Sequence, residues 1–186
     1  MLAKKYSADN PAYTVRPGLK FVYAHPAHTL ALFFGAGCIR PGPGTWGTLA
    51  GVLVWILLAE VFSWKVLVFL IAAVFVLGAL ASEKTCKDLG VDDAGCVVVD
   101  EVAAVWLVCL MLPQNWIGWA AAFAAFRLFD IVKLPPASWV DQRLHNGWGI
   151  MLDDLLAAVW AVFAVVGLDM LLNKIFPGAN LFLGVF

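Results

Sequence analysis

The sequence predicts an all-α integral-membrane bundle of about five spans, with a short re-entrant or interfacial helix beside them. Three observations carry this reading. Of the 186 residues, 63% are hydrophobic and 13% charged, against about 45–50% and about 25% in soluble domains. Mean hydropathy is +0.89. The apolar residues fall into five stretches close to the 17–25 residues that a spanning helix needs. This composition excludes a disordered chain, a nucleic-acid-binding arm and an ordinary cytosolic enzyme surface. A net charge of −1 exerts no general pull on a polyanion, so no nucleic-acid partner is expected.

The stretches are residues 47–62, 66–81, 96–112, 116–132 and 150–172. A sixth, residues 30–39, is too short to span and reads as the re-entrant or interfacial helix. Residues 63–65 and 113–115 read as tight turns, and residues 82–95 and 133–149 as polar connections. Residues 1–28 form a polar N-terminal segment, cytoplasmic or interfacial, without the apolar core of a secretory signal. Residues 29–186 form a single helical membrane domain. Cys38, Cys86, Cys96 and Cys109 lack metal-ligand or redox spacing and read as small packed residues.

Charge placement orients the bundle. With the N-terminus inside, Lys4, Lys5, Arg16, Lys20, Arg40, Lys84, Lys87, Lys133 and Arg143 share one side, and only Lys65 and Lys174 the other. Basic residues concentrate on the cytoplasmic side of bilayer proteins, so the N-terminus is expected there and the C-terminus outside. Lys4, Lys5, Arg16 and Lys20 also suit an anionic membrane surface.

The same folding collects acids at the cytoplasmic face. Asp100 and Glu101 open the third stretch, Asp130 closes the fourth, and Asp153 and Asp154 open the fifth. Charges within a bilayer are costly, so such residues face the bundle interior and mark a site. Converging carboxylates repel unless a cation joins them, and an oxygen-only donor set suits Mg²⁺. Taken singly, each pair is also what a helix start favours. Arg127, Asp130 and Lys133, spaced i, i+3, i+6, are expected on one helix face. They read either as a salt-bridge ladder or as a metal ligand between two phosphate-binding cations. The run Pro41-Gly-Pro-Gly-Thr-Trp-Gly-Thr48 leads into the first span, with Thr45 or Thr48 as its cap. Backbone N–H groups at such a helix start, including that of Gly44, suit phosphate. Asp92, Asp93, Asp141 and Arg143 read as solvated loop residues. His145 is a candidate general acid.

On these residues alone the argument reaches a metal-dependent phosphate site at a membrane surface. The residues then resemble a known family, phosphatidylglycerophosphatase A. The resemblance rests on Pro43-Gly-Thr-Trp-Gly-Thr48, Lys87-Asp-Leu-Gly-Val-Asp92, Val99-Asp-Glu101, Phe126-Arg-Leu-Phe-Asp-Ile-Val-Lys133 and Gly149-Ile-Met-Leu-Asp-Asp154. The chain departs from the family at Lys133-Leu-Pro-Pro136, at Ala103-Ala104 and at Asn146. The resemblance implies a central helix surrounded by others. It also implies an Mg²⁺-dependent phosphatase in residues 29–186, turning phosphatidylglycerophosphate into phosphatidylglycerol at the cytoplasmic side of the bacterial inner membrane. Its motif residues map to Thr45, Asp88, Asp100, Glu101, Arg127, Asp130, Lys133, Asp153 and Asp154. Within this set Asp100, Glu101, Asp130, Asp153 and Asp154 are the expected metal ligands. Asp100, Asp130, Asp154, Arg127 and Lys133 are the expected catalytic groups, and Thr45, Gly44, Arg127 and Lys133 the expected substrate contacts. Attack by water and attack by an aspartate both remain open. The alternative is a small cation-coupled transporter or a non-catalytic membrane subunit. It would show an inverted repeat if a transporter, and none is visible.

Overall fold

The computed structural model describes residues 11–144 and 146–176 of the chain. All regular structure among them is helical. Three short helices come first: α1 (Pro11–Thr14), α2 (Leu19–Val22) and α3 (Pro26–Ala31). A 3₁₀ segment, Phe33–Cys38, follows. The bundle proper is α4 (Pro43–Val61), α5 (Trp64–Leu89), α6 (Val99–Met111) and α7 (Trp116–Val132), then the short α8 (Ala137–Arg143) and the long α9 (Gly147–Ile175).

Helices α4, α5 and α9 are long and apolar enough to cross a membrane. Helix α6 has 13 residues, which rise about 20 Å, and α7 has 17, about 26 Å, against a hydrocarbon core of about 30 Å. Three helices of spanning length therefore stand where five spans were expected, with two shorter apolar helices among them.

The short α6 is the centre of the bundle. It packs against α4, α5, α7 and α9. A helix that meets neighbours on every side can be apolar on every side, and Val99, Val102, Ala103, Ala104, Val105, Trp106, Val108 and Cys109 are all buried. Beyond its acidic first turn, the Trp106 indole is satisfied: it donates to the Gly51 carbonyl at 2.8 Å. At the far end Gln114 accepts from the Trp55 indole at 2.9 Å. It also donates to the carbonyls of Cys109 and Leu112, which closes the turn between α6 and α7. The outer faces of the long helices carry exposed Leu53, Leu57, Phe69, Leu77, Phe163 and Met170. Such continuous apolar exposure belongs against lipid.

Several local expectations change. Residues 30–39 do not form one helix. The backbone takes positive φ at Phe33, Phe34 and Gly35, which splits the stretch between α3 and the 3₁₀ segment. The bend lays Gly37 against the Cys96 carbonyl, where a Cβ has no room. Residues 82–89 are not loop but the last two turns of α5, which ends at Gly90 in the left-handed region. Nor does Thr45 or Thr48 cap α4. Pro43, whose ring presets a helical φ, occupies the first turn with Gly42 before it, and the buried Thr48 hydroxyl donates to the Gly44 carbonyl. Asn146 caps α9 instead, its side chain accepting from the Gly149 N–H.

Residues 11–28 are polar by composition yet tied to the bundle. Val22 is buried. The His28 imidazole stacks on Phe21 and reaches Asp88 at 2.7 Å. The Gly95 N–H donates to the Ala12 carbonyl at 3.0 Å. Lys4 and Lys5 lie outside the described residues, as does the C-terminal end beyond Phe176.

Close helix crossing makes a stability expectation. A Cβ at Gly147 would strike the Ala79 carbonyl of α5, whereas one at Gly167 meets nothing within 4 Å. Gly147→Ala is expected to destabilise by about 1–3 kcal/mol. Gly167→Ala is expected to be neutral or to stabilise by up to about 1 kcal/mol. Thermal unfolding in detergent would measure both, and equal effects would remove the crossing from the argument.

Candidate active site

The starts of α4, α6 and α9 and the end of α7 meet at one end of the bundle around a cleft of about 450 Å³. Its lining includes Gly44, Asp100, Glu101, Arg127, Asp130, Lys133, Asp141, Asp153 and Asp154, with Arg40 and Asp93. Three helix N-termini converge there, each favouring anionic ligands.

Asp100, Glu101 and Asp154 form the tightest group, each offering an oxygen within 4.8 Å of the others. Asp100 Oδ1, Glu101 Oε2 and Asp154 Oδ2 are buried without a hydrogen-bond partner. Three such carboxylates repel one another and these oxygens have lost their water, which a cation between them offsets, as protonation would. The donor set is all oxygen, as hard divalent cations require. The residues therefore fit a metal of the Mg²⁺ type.

Two ion-pair systems flank this group. Arg127 Nη1 lies 2.5 Å from Asp130 Oδ2 and 3.5 Å from Glu101 Oε1, so it ties α7 to α6. Lys133 lies 2.9 Å from Asp141 and donates to Asp153. Burial alone would lower the Lys133 pKa. The surrounding carboxylates of Asp153, Asp154 and Asp141 outweigh it and hold the ammonium above the ordinary lysine value. The expected ladder on one face of α7 is thus broken. Lys133 is the C-cap residue at φ 45° and ψ 69°, which turns it away from the helix line and towards α8 and α9.

Other expected residues separate from this centre. Asp153 and Asp130 line the cleft, each held by a cation. Gly44 lines it, while Thr45 is exposed and outside the lining. Asp88 lies outside the lining, accepting from His28 at 2.7 Å and Lys84 at 2.8 Å. His145 lies outside the described residues. Two acids expected as solvated loop residues line the cleft instead: Asp93, and Asp141, which is buried on α8 against Lys133. No spacing flagged Asp141, because α8 has only seven residues and its register was hidden in a polar stretch.

An all-helical bundle with three apolar helices of spanning length, and an acidic, cation-flanked cleft whose carboxylates could hold a metal ion, defines a membrane-associated protein with a candidate metal centre. The family model for phosphatidylglycerophosphatase A matches residues 29–169. A Haemophilus influenzae phosphatidylglycerophosphatase A is 42% identical over 154 residues, covering 82% of this chain and 94% of the relative. The Escherichia coli phosphatidylglycerophosphatase A is 37% identical over 137 residues, 73% of this chain and 79% of that one. No solved structure matches the chain significantly. The chain belongs to the phosphatidylglycerophosphatase A family, and is therefore read as a phosphatase rather than a transporter or non-catalytic subunit.

Gly44 tests the packing of this centre. A Cβ there would collide with Glu101 Oε1 and come within 3.0 Å of Arg127 Nη1. Gly→Ala in a helix ordinarily stabilises by about 0.5–1 kcal/mol. Here the substitution is expected to cut turnover by up to about a hundredfold through displaced site groups, with no gain in melting temperature. Wild-type turnover by the Gly44→Ala protein would show that the position of Glu101 does not matter.

Proposed function

We propose that this chain is an Mg²⁺-dependent phosphatidylglycerophosphatase. It removes the terminal phosphate of phosphatidylglycerophosphate to leave phosphatidylglycerol, the last step in making that lipid. The observation that carries the reading is the triad of buried, unpartnered carboxylate oxygens on Asp100, Glu101 and Asp154, in a chain of this family.

Asp100, Glu101 and Asp154 would hold the ion, with Asp130 and Asp153 beside them. When bound, Mg²⁺ supplies charge neutralisation at the phosphoryl oxygens and an acidified water. Arg127 and Lys133 stabilise the equatorial oxygens as charge builds in the transition state. Asp130 and Glu101 fix the Arg127 guanidinium, and Asp141 and Asp153 fix the Lys133 ammonium, so neither cation must reorganise during reaction. The backbone N–H groups at the start of α4, near Gly44, take the phosphate in place of the exposed Thr45.

In this proposal the protein is multi-pass in the bacterial cytoplasmic membrane, with the cleft on the cytoplasmic side. The finer count of five spans uses α6 and α7 as partial crossings, with the bilayer thinned around them. Exposed Trp64 and Trp116 stand at the starts of α5 and α7, and Trp46, Trp139 and Trp148 at the cleft end. Tryptophans gather at both membrane–water interfaces, and this pair of belts supports α7 crossing most of the bilayer.

The test is phosphate release from phosphatidylglycerophosphate by detergent-purified protein. Release is expected with Mg²⁺, to vanish with excess EDTA and to return on adding Mg²⁺. Asp130→Asn is expected to abolish it while leaving the unfolding transition in place. Arg127→Lys is expected to lose most of it, because an ammonium cannot reproduce the planar fork. Release that survives EDTA would remove the metal from the reaction, and full activity in Asp130→Asn would remove that residue from the site.

A further inference from the structure

Three cations line the cleft: Arg40, Arg127 and Lys133. Arg127 and Lys133 are each held between two carboxylates. Arg40 is different. Among the described residues it has no carboxylate partner, and one guanidinium nitrogen, Nη2, donates to the Val15 carbonyl at 3.2 Å. It is exposed, whereas the metal-ligand oxygens are buried. It therefore stands at the rim of the cleft.

Position along the chain sets Arg40 apart from the reacting group. Gly44 packs on Glu101 and Arg127 at the cleft floor. Arg40 lies four residues earlier, on the far side of the left-handed turn at Gly42. The lining also includes exposed, apolar Ile131 and Leu144. A ligand that fills the cleft from floor to rim meets buried carboxylate oxygens, Arg127 and Lys133 at the floor, and the exposed Arg40 with apolar side chains at the rim.

We propose that Arg40 binds the internal phosphodiester of the lipid substrate, the group that joins headgroup to diacylglycerol, while the terminal phosphomonoester sits among the carboxylates. This rests on the lipid-phosphatase reading above. A phosphatidylglycerophosphate headgroup carries a phosphomonoester and a phosphodiester separated by a glycerol. The cleft is lined by Asp93, Asp100, Glu101, Asp130, Asp141, Asp153 and Asp154, so a second anion entering it needs its own counter-charge. An exposed guanidinium is suited to a phosphodiester's two non-bridging oxygens, which share one negative charge. Arg40 is thus a specificity-determining residue: it distinguishes lipids that have a second phosphate from those whose only phosphate is the one removed.

The test is the Arg40→Gln enzyme in mixed micelles. Glutamine retains an N–H donor for the Val15 carbonyl and loses the charge. KM for phosphatidylglycerophosphate is expected to rise about ten- to hundredfold, the range of a lost hydrogen bond to a charged group, with kcat little changed. Competitive inhibition by phosphatidylglycerol, which keeps the phosphodiester and lacks the phosphomonoester, should weaken in parallel. Inhibition by inorganic phosphate should hold within about twofold, since that ion uses only the floor. Arg40→Lys should recover part of the loss.

An unmoved KM, a fall in kcat at constant KM, or equal weakening of both inhibitors would overturn the proposal. A lowered melting temperature with loss of both inhibitors would assign Arg40 to anchoring the N-terminal segment instead. Wild-type protein that fails to release phosphate from this lipid would overturn the phosphatase reading itself, and this inference with it.

Discussion

The mutual repulsion of Asp100, Glu101 and Asp154 is the constraint around which the bundle is built. Three clustered carboxylates are held together at lower cost with a cation between them than without one, and among the described residues Asp100 Oδ1, Glu101 Oε2 and Asp154 Oδ2 have no hydrogen-bond partner. The packing forces them together nonetheless. Helix α6 carries two of the three and is enclosed by α4, α5, α7 and α9, which fixes Asp100 and Glu101 at the cleft. Gly44 and Gly47 bring α4 flush against Glu101 and Val98, and Gly147 brings the start of α9 onto α5. The cost of holding the cluster is met by apolar packing along the rest of α6, where Val105, Val108 and Cys109 are fully buried.

The flanking cations divide the work of stabilising this charge. Arg127 joins α7 to α6 through Asp130 and Glu101, and Lys133 joins the end of α7 to α8 and α9 through Asp141 and Asp153. Partly buried pairs of this kind gain little net stability but fix geometry, because each side chain has few alternatives. The same pairs keep two positive charges beside the cleft in a site where acids outnumber bases.

Much of this was legible in the sequence where periodicity or charge cost carried the signal. The apolar runs marked α4, α5 and α9, and the rarity of charge in such runs marked Asp100, Glu101, Asp130 and Asp154 as inward-facing. Other features depend on backbone detail that residue type does not reveal. Lys133 lies at i+6 from Arg127 but leaves the helix line through a left-handed C-cap. Thr45 looked like a cap, yet Pro43 starts the helix before it. The end of α5 runs on past its apolar stretch because Lys84–Asp88 and Lys87–Glu83 pairs support the last turns. Asp141 lines the cleft only because α8 folds back onto Lys133.

The hydrogen bond from Gly95 to the Ala12 carbonyl joins the family-matched region to residues that precede it. Gly95 belongs to a loop that lines the cleft and lies within the family-matched region, and Ala12 lies upstream of it. One wall of the cleft is thus buttressed by a segment upstream of the family match. Such an arrangement makes the set of the cleft wall depend on how the leading residues are anchored, while the carboxylates and their cations are held by the bundle itself.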